Sequence, residues 1–341
     1  MTRVPPSFIA AAIPLDAKMT LILNNSEVRA SVTMCDAVDA MENAFKEQGA
    51  GGVKQPPRTN IAAGKGWLRI GPVVMEHSGW MGFKAMNLVP GIGVRYQVHL
   101  YSIENGELKA IMDAQYLTTL RTGATSAVAT KRLARQKIGK VGVLGSGVES
   151  RAQLEAMHAI GLVNEATVYS PTSKNREKFA NDYSHSLGIP VEAKKSAEEA
   201  IEDCDIIVAG VKSHQTVLQG SWLNPGTHVN SVGTARKDQR EIDPETFQRA
   251  EIVVVDTREG VFGEAGDAIA AQDVFASNQA HELSDLIING VPKRHNDEQI
   301  TLFKSVGTGV QDIGLARMVY ERARETGLGT DYPDFPFIKS S

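Results

Sequence analysis

The chain has 341 residues, with 36 Lys and Arg against 40 Asp and Glu, and a formal net charge of −4. This length predicts about two domains, and the absence of a basic excess argues against a nucleic-acid partner and against binding to anionic membranes. The two cysteines, Cys35 and Cys204, are too few for a disulfide framework or a cysteine-rich metal site and no apolar run is long enough to span a membrane, so we expect a cytoplasmic protein.

The first residues of the chain carry a short apolar stretch, 8–13, after Arg3. This pattern faintly resembles a secretory signal, but the stretch ends at Pro14 and no strong cleavage pattern follows it. We therefore expect an extension that precedes the first strand, rather than a leader for export.

Residues 1 to about 115 are predicted to form an α+β domain built on an antiparallel sheet. A helix is predicted over 31–48, ending at Gly49, because its apolar residues recur at helical spacing. Residues 49–58 are rich in Gly and Pro and predict a loop, and Asn105-Gly106 predicts a hairpin turn. The strand candidates of this region are 19–23, 67–70, 80–84 and 96–101.

The second half of the chain changes to an alternation of strands and helices. A long helix is predicted over 116–135, and a last helix over 309–324 is expected to leave the nucleotide domain. Apolar strands separated by helical segments predict a parallel sheet with right-handed crossovers. The strand candidates are 141–144, 166–169, 191–193, 205–209, 228–232, 252–255 and 301–306, and the intervening helices include 149–160, 173–187 and 197–201.

The most informative segment is VGVLGSGVES at 141–150. A strand, a glycine turn and a helix in this order form a cradle for a pyrophosphate, because the glycines let the backbone approach and the helix N-terminus offers free N–H groups. The third small position is Ser150, so the fingerprint is imperfect, and an ordinary glycine turn is the alternative. We predict a dinucleotide site in a Rossmann-type doubly wound sheet, with Gly145, Ser146, Gly147 and Val148 against the cofactor.

The segment after the second strand of this unit bears on the choice of cofactor. An acidic residue that would bind the ribose 2′-hydroxyl of NAD is expected here. This chain instead has Ser170, Thr172, Lys174 and Arg176, whose hydroxyls and cations suit a 2′-phosphate better. NADP(H) is therefore preferred over NAD(H), unless the two cations are merely solvated residues of a helix.

Five motifs in this order resemble the ornithine cyclodeaminase/mu-crystallin family over nearly the whole chain. They are QPPR at 55–58, GFKAMN at 82–87, LRTGATS at 120–126, GSG at 145–147 and SVGTGVQD at 305–312. The resemblance implies a homodimer, with a substrate-binding and dimerisation domain at 1–125, completed by 315–341, and a Rossmann domain at 126–314.

The resemblance also implies roles for individual residues. Arg58 and Lys84 are expected at the carboxylate of a small substrate, which suits a guanidinium fork and an ammonium. Arg121 and Thr122 are expected to contact the cofactor phosphates. Ser305 and Gly307 are expected beside the nicotinamide, and Gly233 is also expected in the cofactor site. We expect Asp312 to lie in the first turn of a helix, where the helix dipole stabilises its negative charge. Glu264 matches a family segment, but no chemistry follows from it.

One departure from the family pattern bears on the reaction. Cyclodeaminases of the family carry an acidic residue after the strand that corresponds to 228–232, and an alignment on Gly233 and Glu241 puts Ala235 at that position. Asp238 lies three residues further on, and the proline of the family motif is missing. Because alanine cannot transfer a proton, the segment argues against ornithine cyclisation.

The remaining features predict a hydride transfer from NAD(P)H to the C=N bond of an imino acid, or the reverse amino-acid dehydrogenation. Candidate substrates are cyclic ketimines such as Δ1-pyrroline-2-carboxylate, and open-chain 2-imino acids. Alternatives are a cyclodeaminase-type lyase, a mu-crystallin-like binding protein and a dehydrogenase of 2-hydroxy acids. No metal is predicted, since the histidines lack ligand spacing and are expected at the surface or in pocket walls. They are His77, His99, His214 and His228.

Overall fold

Residues 19–137 and 139–336 are described by a computed structural model of the chain, which contains two sheets of eight strands each. The predicted N-terminal extension and the end of the 315–341 segment lie outside the described residues. The strands in chain order are β1 (Met19–Leu23), β2 (Val53–Lys54), β3 (Thr59–Ala63), β4 (Gly66–Met75), β5 (Trp80–Val89), β6 (Gly93–Ser102), β7 (Leu108–Asp113), β8 (Gly139–Leu144), β9 (Val163–Tyr169), β10 (Val191–Ala193), β11 (Ile206–Ala209), β12 (His228–Ser231), β13 (Ile252–Val255), β14 (His281–Glu282), β15 (Thr301–Lys304) and β16 (Thr330–Pro333).

Eleven α-helices are found among the described residues. They are α1 (Asn25–Ser31), α2 (Met34–Gly49), α3 (Gln115–Leu133), α4 (Val148–Ala159), α5 (Ser173–Leu187), α6 (Ala197–Ile201), α7 (Pro244–Arg249), α8 (Arg258–Glu264), α9 (Gly266–Ala270), α10 (Leu283–Asn289) and α11 (Gly309–Thr326).

The first sheet has the order β16-β1-β7-β6-β5-β4-β2, and β3 pairs with β4. It is antiparallel as predicted, except that β1 and β7 run parallel. The predicted Asn105-Gly106 turn joins β6 to β7: Gly106 has a φ of +71°, and its N–H donates to the Ser102 carbonyl at 3.1 Å. In β7 every second residue is buried, as expected where one face of a sheet covers a core.

The second sheet is parallel throughout and has the order β10-β9-β8-β11-β12-β15-β13-β14. Four central strands, β11, β12, β13 and β15, are buried at every residue, because helices cover both faces. The predicted fold class is confirmed: a doubly wound parallel sheet stands beside a separate, mainly antiparallel sheet.

The prediction of a single helix over 31–48 is wrong at its N-terminal end. Two helices occupy the region, since Asn24 caps α1 and Thr33 caps α2, each with an acidic residue that closes a capping box. Helix α1 was not predicted, and the predicted helix began three residues before α2, although the capping box that starts at Thr33 is legible in the sequence. The predicted elements also omitted several short ones, namely β2, β3, β14, β16 and α7 to α10.

The C-terminal segment returns to the first sheet. Helix α11 packs against α2, α3 and β5, and β16 pairs with β1 and forms one edge of that sheet. Helix α3 runs without a break across residues 125 and 126 and packs on both α2 and α4. The division of the chain at that point stays a prediction. Within the described residues no helix is long and apolar enough to cross a membrane.

Candidate functional site

Lys84 lies in the middle of β5, buried on the face of the first sheet that α11 covers. Its ammonium donates to Asp312 Oδ1 at 2.7 Å and reaches Thr118 Oγ1 at 3.4 Å. Burial lowers the pKa of Lys84 to about 7, although the carboxylate of Asp312 opposes this shift. Near pH 7 this side chain can therefore be present in both its protonated and its uncharged form.

Arg58 shares this face of the sheet with Lys84. Gly71 of β4 pairs directly with Lys84 across the ladder, and a Cβ at Gly71 would stand 3.5 Å from Arg58 Cγ. Directly opposed residues of an antiparallel pair point to one face, so Arg58 lies over Gly71 beside the lysine. The guanidinium forms an ion pair with Glu264 and donates to the Val306 carbonyl at 3.0 Å. Glu264, to which the sequence assigned no chemistry, is therefore the carboxylate partner of Arg58.

Arg121 of α3 approaches from the side of the second sheet. Its Nε donates to Asp312 Oδ1 at 3.0 Å, its Nη1 donates to Gln311 Oε1 at 2.7 Å, and its guanidinium packs against Gly307. Asp312 does lie in the first turn of α11, as predicted. The dipole interpretation is nevertheless incomplete, because Asp312 is also the buried counter-ion that Lys84 and Arg121 share.

Asp256 fixes the turn between β15 and α11, and the sequence gave no sign of its importance. Its Oδ2 accepts from Ser305 Oγ at 2.6 Å, from Val306 N at 3.0 Å and from Gly307 N at 2.7 Å. Gln311 Nε2 also donates to it at 3.3 Å, so four donors converge on one fully buried carboxylate. This interaction sets the position of the Val306 carbonyl that Arg58 contacts and of the glycine that Arg121 packs against.

A cleft of about 460 Å³ opens between the first sheet, α8 and the turn before α11. Arg58, Glu264 and Thr308 are among the residues that line it, whereas Lys84 is not. Thr308 precedes α11, and its hydroxyl oxygen is buried without a hydrogen-bond partner. Such an orphaned group at a helix N-terminus fits an anionic ligand in the cleft.

The glycine turn has the geometry that the sequence predicts. Gly145 has a φ of +105°, and a Cβ there would meet Ser150 Oγ at 2.6 Å, which explains the small residue at the third position. A Cβ on Gly147 would meet no atom within 4 Å, so the space over the turn is open. Val148 begins α4, and no side chain caps the helix.

The segment after β9 lies beside this turn, since Ser146 Oγ donates to Ser170 Oγ at 3.0 Å. Thr172 precedes α5, and Lys174 in its first turn is exposed. Arg176 folds back, and its Nη1 donates to the Ser170 carbonyl at 3.0 Å. Ser170 and Ser146 therefore lie next to each other, while Arg176 is partly engaged with its own loop.

The loop after β12 contains the residues on which the departure from the family pattern rests. The Gly233 N–H donates to Glu241 Oε1 at 2.8 Å, and a Cβ on Gly233 would collide with the Val211 backbone, so close packing explains this glycine. Ala235 is half-buried against apolar neighbours. Asp238 is exposed and bidentate to Arg236, and this pair lowers the pKa of Asp238. Asp238 is thus a surface ion-pair residue.

A buried charge cluster beneath this loop was not found from the sequence. Lys304 Nζ contacts Asp267 Oδ2 at 2.9 Å, Glu241 Oε1 at 3.3 Å and Ser231 Oγ at 2.8 Å, and all three charged side chains are inaccessible to solvent. Glu241 also accepts from Val211 N at 3.0 Å. The cluster therefore joins the carboxyl ends of β11, β12 and β15, the edge at which parallel sheets bind ligands.

His228 corrects one prediction, because it is fully buried and lies neither at the surface nor in a pocket wall. Its two ring nitrogens contact Thr130 Oγ1 at 3.1 Å and Thr301 Oγ1 at 2.8 Å, so the imidazole is satisfied inside the protein. Burial lowers the pKa of His228 to about 3. Among the described residues, no group of three His, Cys, Asp or Glu could hold a metal ion.

Comparison with known proteins gives whole-chain matches. A reductase named Δ1-pyrroline-2-carboxylate reductase from Bacillus cereus is 33% identical over 320 residues, covering 91% of this chain and 98% of the relative. The Thermococcus litoralis enzyme of that name, solved with NADH and L-proline, is 36% identical with a TM-score of 0.88, covering 92% of this chain and 100% of the other. An archaeal alanine dehydrogenase dimer with bound NAD is 33% identical with a TM-score of 0.86, covering 92% and 99%.

The family model described as "Ornithine cyclodeaminase/mu-crystallin family" matches residues 18–327. This range includes every strand of the two sheets except β16, and it includes the glycine turn, Arg58, Lys84 and the Asp312 ion pairs. The chain belongs to the ornithine cyclodeaminase/mu-crystallin family.

Proposed function

We propose that this chain is an NAD(P)H-dependent reductase of imino acids, which converts a cyclic ketimine such as Δ1-pyrroline-2-carboxylate, or an open-chain 2-imino acid, to the L-amino acid. The reverse reaction is an amino-acid dehydrogenation. The observation that carries the proposal is the placement of Lys84 and Arg58 side by side on one face of the first sheet. That face meets the β15–α11 turn at the carboxyl edge of the parallel sheet.

The substrate carboxylate has a binding place in this arrangement. Arg58 is paired with Glu264 at the wall of the cleft, and a substrate carboxylate would replace Glu264 on the guanidinium fork. The unpartnered hydroxyl of Thr308 and the N-terminus of α11 face the same cleft and offer further stabilisation of an anion. Thr308 is thus a candidate contact that the sequence motif contained but did not single out.

The residues of the glycine turn fit a dinucleotide. The space over Gly147 is open, and α4 begins there without a side-chain cap, so its first N–H groups are available for a pyrophosphate. Gly145, Ser146, Gly147 and Val148 would hold the cofactor with Arg121, Thr122, Gly233, Ser305 and Gly307. The nicotinamide supplies the hydride when it is bound.

We also propose that NADP(H) is preferred. No carboxylate occurs in segment 170–176, and Ser170, Thr172, Lys174 and Arg176 offer hydroxyls and cations to a 2′-phosphate. Three relatives solved with a cofactor contain NADH or NAD, so this preference rests on the chain's own residues. In a test, the double variant Lys174→Ala/Arg176→Ala should raise the KM for NADPH far more than that for NADH. Equal increases would refute the preference.

The chain's own contribution to the chemistry is positional and electrostatic. Arg58 and Lys84 would fix the carboxylate and so align the imine carbon. With a pKa of about 7, Lys84 can hold a proton near the imine nitrogen and release it there at neutral pH. Reduction adds one hydride to carbon and leaves one proton on nitrogen, so a strong acid at the position of Ala235 is not required. A cyclodeaminase reaction would need an acid at that position, and this chain has alanine there.

A homodimer in the cytoplasm is part of the proposal. The domain at 1–125 and the segment 315–341 would form the dimer interface, and residues 126–314 would form the Rossmann domain. Apolar side chains are exposed along one end of the first sheet, which supports an interface there. They are Ile61, Leu68, Val89 and Ile92. The archaeal relative is described as a dimer. Light scattering that gives a monomer mass would refute this part.

The decisive experiment is NADPH oxidation against a panel of cyclic and open-chain imino acids. Wild type and Lys46→Ala, which changes an exposed lysine of α2, should oxidise NADPH, whereas Lys84→Ala should lose most of the activity. If no panel member is reduced, the reductase proposal fails. Formation of proline and ammonia from ornithine without net NADPH oxidation would favour the cyclodeaminase, and activity only on 2-hydroxy acids would favour an ordinary dehydrogenase.

A further inference from the structure

Glu149 is a buried acidic group that the proposed reaction does not use. It lies in the first turn of α4, two residues after Gly147, at the turn that is open to a dinucleotide. Its Oε2 is buried and has no hydrogen-bond partner. A carboxylate oxygen in this state is costly, because an ionised group without a partner loses its hydration.

Charged and titratable groups approach Glu149 from four other parts of the fold. They are Arg121 of α3, Lys84 of β5, Lys212 after β11 and Tyr96 of β6. The three cations and the N-terminus of α4 favour the carboxylate. Burial outweighs them and raises the pKa of Glu149 above the usual range of a carboxyl group. Burial therefore disfavours the ionised form of this side chain even before a ligand binds.

A bound dinucleotide changes this balance further. Under the proposed function, on which the inference rests, a pyrophosphate at the glycine turn brings negative charge next to Glu149. An ionised Glu149 would repel it and can only accept hydrogen bonds, whereas a protonated carboxyl group carries an O–H donor. Arg121, Lys84 and Lys212 would at the same time interact with the phosphates and stabilise an ionised Glu149 less.

We propose that Glu149 binds the dinucleotide as its neutral acid, donating its O–H to a phosphate oxygen, so that cofactor binding takes up one proton at this side chain. The affinity for the cofactor then falls as the pH rises above the titration of Glu149. Glu149 is in this sense a proton-linked cofactor-binding residue in the glycine turn. Ionised Glu149 accepting a ribose hydroxyl is the opposite arrangement, and it predicts no uptake.

The test is NADH binding in the absence of substrate, followed by the fluorescence of the nicotinamide and by calorimetry. NADH is the appropriate probe because it lacks the 2′-phosphate, a phosphomonoester whose second pKa is about 6 and would add its own protons. Calorimetry at one pH in two buffers of different ionisation enthalpy counts the protons taken up. For wild type we expect uptake toward one proton and a Kd that rises by up to about tenfold per pH unit between pH 6 and 8.5.

Three variants separate Glu149 from other sources of protons. Glu149→Gln keeps a neutral donor of the same shape, so it should bind NADH tightly at pH 8.5 and lose the uptake. Lys84→Met removes the other group expected to titrate in this range, and the uptake should persist in it. Glu165→Gln, at an exposed position of β9, is the matched control and should behave as wild type.

The outcomes distinguish this inference from the proposed function. If wild type binds no NADH, both fail. If it binds NADH without proton uptake, or if Glu149→Gln retains the uptake and the pH dependence, the cofactor site stands and the role of Glu149 is overturned. Uptake that disappears in Lys84→Met and persists in Glu149→Gln would assign the proton to the lysine and overturn the inference as well.

Discussion

Replacing Lys304 with methionine tests whether the buried charge cluster holds the ligand-binding edge of the parallel sheet together. Methionine preserves the unbranched stem but removes the cation that contacts Asp267 at 2.9 Å and Glu241 at 3.3 Å. Burial alone opposes the charge on Lys304, yet the two carboxylates raise its pKa above the usual value. Loss of one partner from a buried ion pair costs about 3–5 kcal/mol, because the remaining charge is left without compensation. We expect Lys304→Met to lose that much stability at pH 8.

The assay is denaturant unfolding of wild type and variants at pH 8 and pH 5.5. Lys178→Met is the matched control, because Lys178 forms an exposed ion pair with Asp182 on α5 and such pairs contribute about 0–1 kcal/mol. The deficit of Lys304→Met should shrink at pH 5.5, because burial raises the pKa of Glu241 and this carboxylate can take up a proton there once the lysine is gone. A deficit no larger than that of the control, or equal at both pH values, would refute this account.

Three further predictions follow from the site and the core. In wild type, kcat/KM for imine reduction should fall as the pH rises through about 7, the pKa of Lys84, and a pH profile of Lys84→Arg should lack this decline because arginine stays charged. Gly71→Val should fill the space beside Arg58 and raise the KM of the imino acid about tenfold or more, with NADH affinity unchanged in binding titrations. Buried neutral His228 binds fewer protons folded than unfolded between pH 6.5 and about 3, so stability should fall there by about 1.4 kcal/mol per unit as the pH is lowered, and unfolding curves of His228→Asn should show a smaller slope.

The elements with a regular pattern could be predicted from the sequence. Strands β11 and β13 are continuous apolar runs, and the long helices α3, α5 and α11 fall within a few residues of their predicted bounds. The short elements α7 to α10 could not be found in this way, because five to seven residues give too few turns for a periodicity. Their positions depend on tertiary packing, since α7 and α8 both pack on α9, and α10 packs on α2.

The site was predictable only where a motif carried it. The sequence indicated Arg58 and Ser305, but not that Glu264 pairs with Arg58 or that Asp256 holds Ser305. These acids are separated from the groups they hold by about 50 to 200 residues, and nothing local distinguishes them from solvated surface acids. The assignment of Asp312 to a helix dipole shows the same limit, since a first-turn position is a local property and a shared counter-ion is a tertiary one.

The ion pairs of the site explain why a lysine, rather than a carboxylic acid, can be the titrating group of this protein. Asp312 is shared between Lys84 and Arg121, so it compensates neither cation fully. Arg121 and Arg58 both disfavour the charge on Lys84, in addition to its burial, and its pKa falls to about 7. A substrate carboxylate between Arg58 and Lys84 would restore the missing negative charge and bring the lysine back to its protonated form. Substrate binding would then load the proton donor at the moment when the imine lies next to it, and the acid absent at Ala235 would not be needed.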